Sequence, residues 1–94
     1  MNLTTEQHKA IEDMAYQLIT PNLVAINLEV DEWDFVHEVR TPGTPCHQSY
    51  YKGMVRQMLD TRQAIIRAAH NGSNPAQAEL LKFLQQVTNH LKYE

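Results

Sequence analysis

The stretch from Thr44 to Leu91 constrains the fold more than any other part of the chain. It opens on Thr44-Pro45, a capping hydroxyl followed by the residue best tolerated at the first helical position. Nothing then interrupts a helix until Asn71-Gly72. At about 100° per residue, Tyr51, Met54, Val55, Met58, Leu59, Ile65, Ile66 and Ala69 gather on one side, while Lys52, Arg56, Gln63, Arg67 and His70 share another. Asn71-Gly72 supplies the left-handed residue that a helix C-terminus favours. Asn74-Pro75 then reads as a new cap and first-turn proline, with Gln77 as the capping-box partner. In the helix that follows, Ala76, Leu80, Phe83, Leu84, Val87 and Leu91 form one apolar stripe opposite Lys82, Gln85, Gln86 and Asn89. A long helix, a tight reversal and a second helix therefore make an antiparallel hairpin, packing along that narrow stripe.

The preceding 43 residues carry three shorter helical signals. Thr4 with Gln7 forms a capping box, and Ile11, Met14, Ala15, Leu18 and Ile19 recur at helical spacing, which predicts a first helix from Thr5 to Ile19. Thr20-Pro21 repeats the cap-then-proline pattern and opens a helix to Leu28, with Leu23, Val24, Ala25 and Leu28 as its apolar side. Asp31 caps a third helix, Glu32 to Arg40, whose Glu32 and Asp34 sit in a first turn where the helix dipole favours negative charge. Thr41-Pro42-Gly43-Thr44-Pro45 breaks regular structure and reads as the one linker. The expectation is an all-α chain, residues 1–94 as a single domain, with a short helix-turn-helix-like unit packed on a C-terminal helical hairpin.

At 94 residues and 43% apolar content the chain can bury one small core, near the size at which self-association helps. Cys46 is the single cysteine, so an internal disulfide is excluded, and the scattered histidines do not match zinc spacing. MNLTTEQHK has no basic segment followed by an apolar run, and no stretch approaches the roughly 20 apolar residues of a membrane span. A reducing, cytoplasmic setting without membrane contact follows as an expectation. The net charge of −3 hides an asymmetry. Residues 1–43 carry Lys9 and Arg40 against Glu6, Glu12, Asp13, Glu29, Asp31, Glu32, Asp34 and Glu38. Residues 44–94 carry Lys52, Arg56, Arg62, Arg67, Lys82 and Lys92 against Asp60, Glu79 and Glu94. Either the two halves attract each other, within or between subunits, or the basic half meets nucleic acid.

Two short helices joined by about three residues, Pro21 to Arg40, are what a helix-turn-helix requires. Small Ala25 suits the close approach; Leu28, Val30 and Phe35 form the wedge, and Val39 anchors the second helix. Glu32, Trp33, Val36, His37 and Arg40 are left for the outer face, which is more acidic than a duplex-reading helix usually is. For Trp33 itself the reading as a core or interface residue is preferred.

The arrangement resembles the small subunit of phage DNA-packaging terminases and related phage helix-turn-helix proteins. The matching features are the Thr20-Pro21 to Phe35 unit with Ala25 and Leu28-Glu29-Val30, then Tyr50-Tyr51-Lys52-Gly53 opening a long helix. The turn Ala69-His70-Asn71-Gly72-Ser73-Asn74-Pro75-Ala76-Gln77 into Leu80-Leu81 completes them. The resemblance implies that the helix-turn-helix recognises phage DNA and that the hairpin assembles subunits into a ring, with the packaging ATPase on a separate large subunit. This chain departs in its acidic recognition helix, and a segment for docking a large subunit is not expected within residues 1–94.

The residues placed at nucleic acid are Trp33, His37, Arg40, Lys52, Arg56 and Arg67, and those placed at a subunit contact are Tyr51, Met58, Arg62 and Ile65. Arg62 falls among apolar neighbours and needs a partner, for which Glu12 and Asp13 are candidates. Gly53 sits inside a helix, where it costs roughly 1 kcal/mol relative to Ala. Close approach of another backbone would explain it, as would simple tolerance. No phosphate loop, nucleophile elbow or metal-spaced histidine pair is present, so no catalytic residue, cofactor or metal is expected. A DNA-binding homo-oligomer is one expectation. A non-catalytic interaction module, whose acidic half binds a basic phage or host protein without DNA contact, is the other.

Overall fold

The computed structural model describes residues 1–92. These form five helices and no strand: α1 Thr5–Tyr16, α2 Pro21–Leu28, α3 Glu32–Val39, α4 Pro45–His70 and α5 Asn74–Lys92. The all-α expectation holds. Two compact units divide within α4, Met1–Met58 and Leu59–Glu94.

The first unit contains the core. Ile11 and Ala15 of α1, Val24 and Ala25 of α2, Phe35 and Val39 of α3, and Cys46 and Tyr50 of α4 form one buried cluster, against which Leu28, Val30 and Met54 pack. The helix-turn-helix wedge and anchor fall where the spacing of Ala25, Phe35 and Val39 put them. Leu23 does not: it is half exposed, outside the buried side of α2.

α1 is shorter than its apolar period. It stops at Tyr16 because Leu18 adopts φ 64, and the Leu18 and Ile19 amides turn back to donate to Ala15 O and Met14 O. A residue with a Cβ in this left-handed region costs roughly 1 kcal/mol, offset by the return bonds and by Ile19 and Met14, which both pack on the core. Side chains of α4 complete the terminus: Gln57 Nε2 donates to Tyr16 O at 2.8 Å and Tyr50 Oη to Ile19 O at 2.7 Å. α2 ends by the same device. Glu29 takes φ 58, and the Glu29 and Val30 amides donate to Ile26 O and Ala25 O.

Other caps differ in detail from the sequence pattern. Thr4 and Gln7 make the reciprocal box, and Asp31 accepts from the Asp34 amide at 2.8 Å. Thr20 contributes no side-chain cap to α2, its hydroxyl donating instead to Asn22 Oδ1. α5 is capped by Ser73, whose Oγ accepts from the Ala76 amide. Asn74 is already helical, and Gln77 reaches Ala69 O instead of closing a box. α3 ends at Val39, one residue before the expected Arg40.

The segment Thr41–Thr44 is not a loose linker, because it and α4 satisfy the last carbonyls of α3. Thr41 Oγ1 donates to His37 O at 2.8 Å, Thr44 Oγ1 to Glu38 O at 2.6 Å, and His47 Nδ1 to Val39 O at 2.6 Å. A carbonyl only accepts, so His47 carries its proton on Nδ1.

Gly53 is explained by close approach. A Cβ built there would overlap Glu12 O of α1 and lie 2.8 Å from Ala15 Cβ. The α1 and α4 backbones cross at that point, with only hydrogen on the α4 side.

Candidate nucleic-acid and subunit contact surfaces

Because Phe35 and Val39 face the core, the remaining positions of α3 face outward. Glu32, Trp33, Val36, His37 and Arg40 line one shallow cavity of about 440 Å³. This is the outer face derived from the helical spacing. Trp33 is not a core residue, being 71% exposed. Its ring stacks parallel on His37, the centroids 5.1 Å apart and the planes 3° from parallel. Trp33, His37 and Arg40 are thus brought together. Glu32 shares their face, and Asp31 and Asp34 are exposed at the N-terminal end of the same helix.

Lys52 and Arg56 do not form an unengaged basic stripe. They meet α1, where Arg56 Nη1 donates to Glu12 Oε2 at 2.5 Å and lies 3.5 Å from Asp13 Oδ1. The Arg56 guanidinium also covers the Tyr16 ring at 4.8 Å. Lys52 Nζ lies 3.6 Å from Glu12 Oε1, and Lys9 Nζ 3.4 Å from both Glu12 and Asp13. The Arg56 hydrogen bond, aided by Lys9 and Lys52, holds the Glu12 carboxyl below the usual carboxylate range despite burial. The sequence signal for this cluster was Glu12 itself, a carboxylate between the core positions Ile11 and Ala15. Next to it, His8 Nδ1 and Ser49 Oγ are 2.8 Å apart, a pair that helical periodicity does not reveal.

Burial also sets the state of Cys46. Its thiol is wholly enclosed and pushed up to about 12, first by burial and then by the neighbouring Glu38 carboxylate.

In the second unit Arg62 finds its partner within the hairpin, not at Glu12 or Asp13. Its guanidinium lies 4.2 Å over the Phe83 ring and its Nη2 is 3.4 Å from Gln86 Oε1. An aromatic face and an amide replace the carboxylate that a charge among apolar neighbours was expected to need. Arg67 is exposed on α4. Of the residues placed at a subunit contact, Tyr51 and Met58 are exposed and Arg62 and Ile65 are partly buried.

The stripe of α5 is only partly used within its own unit. Ala76 is buried and Leu80 and Phe83 are partly so, but Leu84, Val87 and Leu91 remain 57%, 54% and 66% exposed. Leu59 and Leu81 are exposed as well. Arg62, Ile66, Leu80, Phe83, Leu84 and Val87 surround an apolar concavity of about 210 Å³. The exposed apolar side chains of this unit, Leu59, Leu81, Leu84, Val87 and Leu91 among them, are not among the four positions placed at a subunit contact from the sequence.

No helix among the described residues is long and apolar enough to cross a membrane. Comparison with protein-family models, with curated proteins and with solved structures finds no match to this chain.

Proposed function

We propose that this chain is a non-catalytic, phage-type DNA-binding protein that works as a homo-oligomer, in the manner of a terminase small subunit. The observation that carries this reading is the uncovered apolar stripe of the hairpin. Two helices form a single layer, and a helical layer buries its stripe only against another layer. With Leu84, Val87 and Leu91 more than half exposed, a second copy is the covering that the resemblance supplies. The α2–α3 pair supports the DNA half of the reading, since its second helix, capped by Asp31, presents Trp33, His37 and Arg40 outward.

A second reading is favoured by one observation, the acidic surroundings of Trp33. Asp31, Glu32 and Asp34 lie within two residues of that exposed ring, and carboxylates repel phosphates while attracting a basic protein segment. Titration of duplex DNA at several salt concentrations separates the two readings. The DNA reading gives binding that falls steeply with salt as counterions are released, whereas the protein-partner reading gives no binding at any salt. Light scattering in parallel tests the assembly: a monomer at every concentration and ionic strength overturns the oligomer.

A further inference from the structure

In the first unit, Lys9, Arg40, Lys52 and Arg56 stand against eight acidic residues. Three of those four basic side chains converge on one place, the groove between α1 and the start of α4. The buried carboxylate there, Glu12, has its shortest bond to Arg56, at 2.5 Å. Lys9 is held more loosely at 3.4 Å, and Lys52 lies at 3.6 Å, beyond hydrogen-bond range. With Asp13 included, three cations face two carboxylates, and both lysines are exposed. The groove, about 350 Å³ and lined also by His8, Gln48 and Ser49, is rich in donors. His8 Nδ1 and Ser49 Oγ share one hydrogen bond, which leaves the pair a single donor for a ligand, His8 Nε2–H or the Ser49 hydroxyl.

We propose that this groove holds a backbone phosphate of nucleic acid, with Lys9 and Lys52 supplying charge, and Gln48 and one member of the His8–Ser49 pair supplying hydrogen bonds. The inference rests on the DNA-binding reading and gives it a phosphate contact in the α1–α4 groove, apart from the outer face of α3. Arg56 stays on Glu12 in the bound state, so filling the site leaves the buried carboxylate paired.

The test compares the wild-type chain with the double variant Lys9→Gln/Lys52→Gln, which keeps Arg56, its carboxylate partner and therefore the fold. Circular dichroism checks that the variant is folded. Inorganic phosphate at constant ionic strength should shift the NMR resonances of the His8 ring and the Ser49 and Lys52 amides in the wild type only. Duplex affinity in the variant should fall roughly tenfold, and its salt slope should lose about 2. Phosphate shifts without duplex binding would uphold the anion site and overturn the DNA reading. Duplex binding with unchanged affinity and slope in the variant would overturn the groove and leave the DNA reading standing. No shift with phosphate and no duplex binding would overturn both.

Discussion

Replacing Gly53 with Ala tests the crossing of α1 and α4 most directly. In an isolated helix the change is stabilising by about 1 kcal/mol, because glycine pays more backbone entropy. Here the added methyl would overlap the Glu12 carbonyl oxygen, sit 2.8 Å from Ala15 Cβ and 2.9 Å from the Glu12 carbonyl carbon. Two of these three atoms are backbone, so no flexible side chain can swing aside, and α1 must move outward from α4. That movement loosens Ile11 and Ala15, both fully buried, and stretches the Arg56 bond to Glu12. Overpacking of this kind costs about 1–3 kcal/mol, and an immovable backbone puts the cost at the upper end. After the propensity gain the net loss is about 2 kcal/mol, which for a chain of this size lowers the melting temperature by roughly 10 °C. The assay is thermal and urea unfolding followed by far-ultraviolet circular dichroism, with Ala64→Gly at an exposed α4 position as the control for propensity alone. A Gly53→Ala protein more stable than the wild type would refute the close-approach account.

Three further outcomes follow from the same packing. Under the proposed pairing of hairpins, Val87→Asp or Leu84→Asp should leave a monomer with unchanged helix content, because both side chains are more than half exposed within the chain; light scattering with circular dichroism separates dissociation from unfolding. Arg56→Gln should destabilise the protein at neutral pH. The Glu12 carboxyl is held below its ordinary value chiefly by Arg56, so its contribution is present above the unfolded-state value and lost as pH falls through the folded-state value. Urea midpoints of variant and wild type should therefore converge in acid, and a gap that widens on acidification contradicts the assignment. Cys46, wholly buried with its thiol pushed up to about 12, should resist a thiol reagent in the native protein and react on addition of denaturant; rapid native labelling would show that the core opens there.

Local chemistry alone determined the helix count and most helix starts. The prolines at positions 21 and 45, the Asp31 cap and the Thr4–Gln7 box each act within four residues, so the sequence carries them in full. The Asn71-Gly72 reversal was legible for the same reason, since glycine meets no Cβ penalty at φ 95. The outer face of α3 was legible too, because one helix period decides it once Phe35 and Val39 face inward.

Tertiary structure decided what depends on two segments meeting. Leu18 and Glu29 take the same left-handed turn as Gly72, yet neither residue type signals it. Core packing of the residues on either side, and donors such as Gln57 and Tyr50 from a distant helix, offset a cost that the local sequence alone would avoid. Gly53 was visible as an anomaly, but only the position of Glu12 and Ala15 shows that no other residue fits. Arg56 and Arg62 lie on the same helix with similar side chains. One found a buried carboxylate and the other an aromatic face, because pairing depends on which helix arrives opposite, and periodicity within one helix contains no information about that.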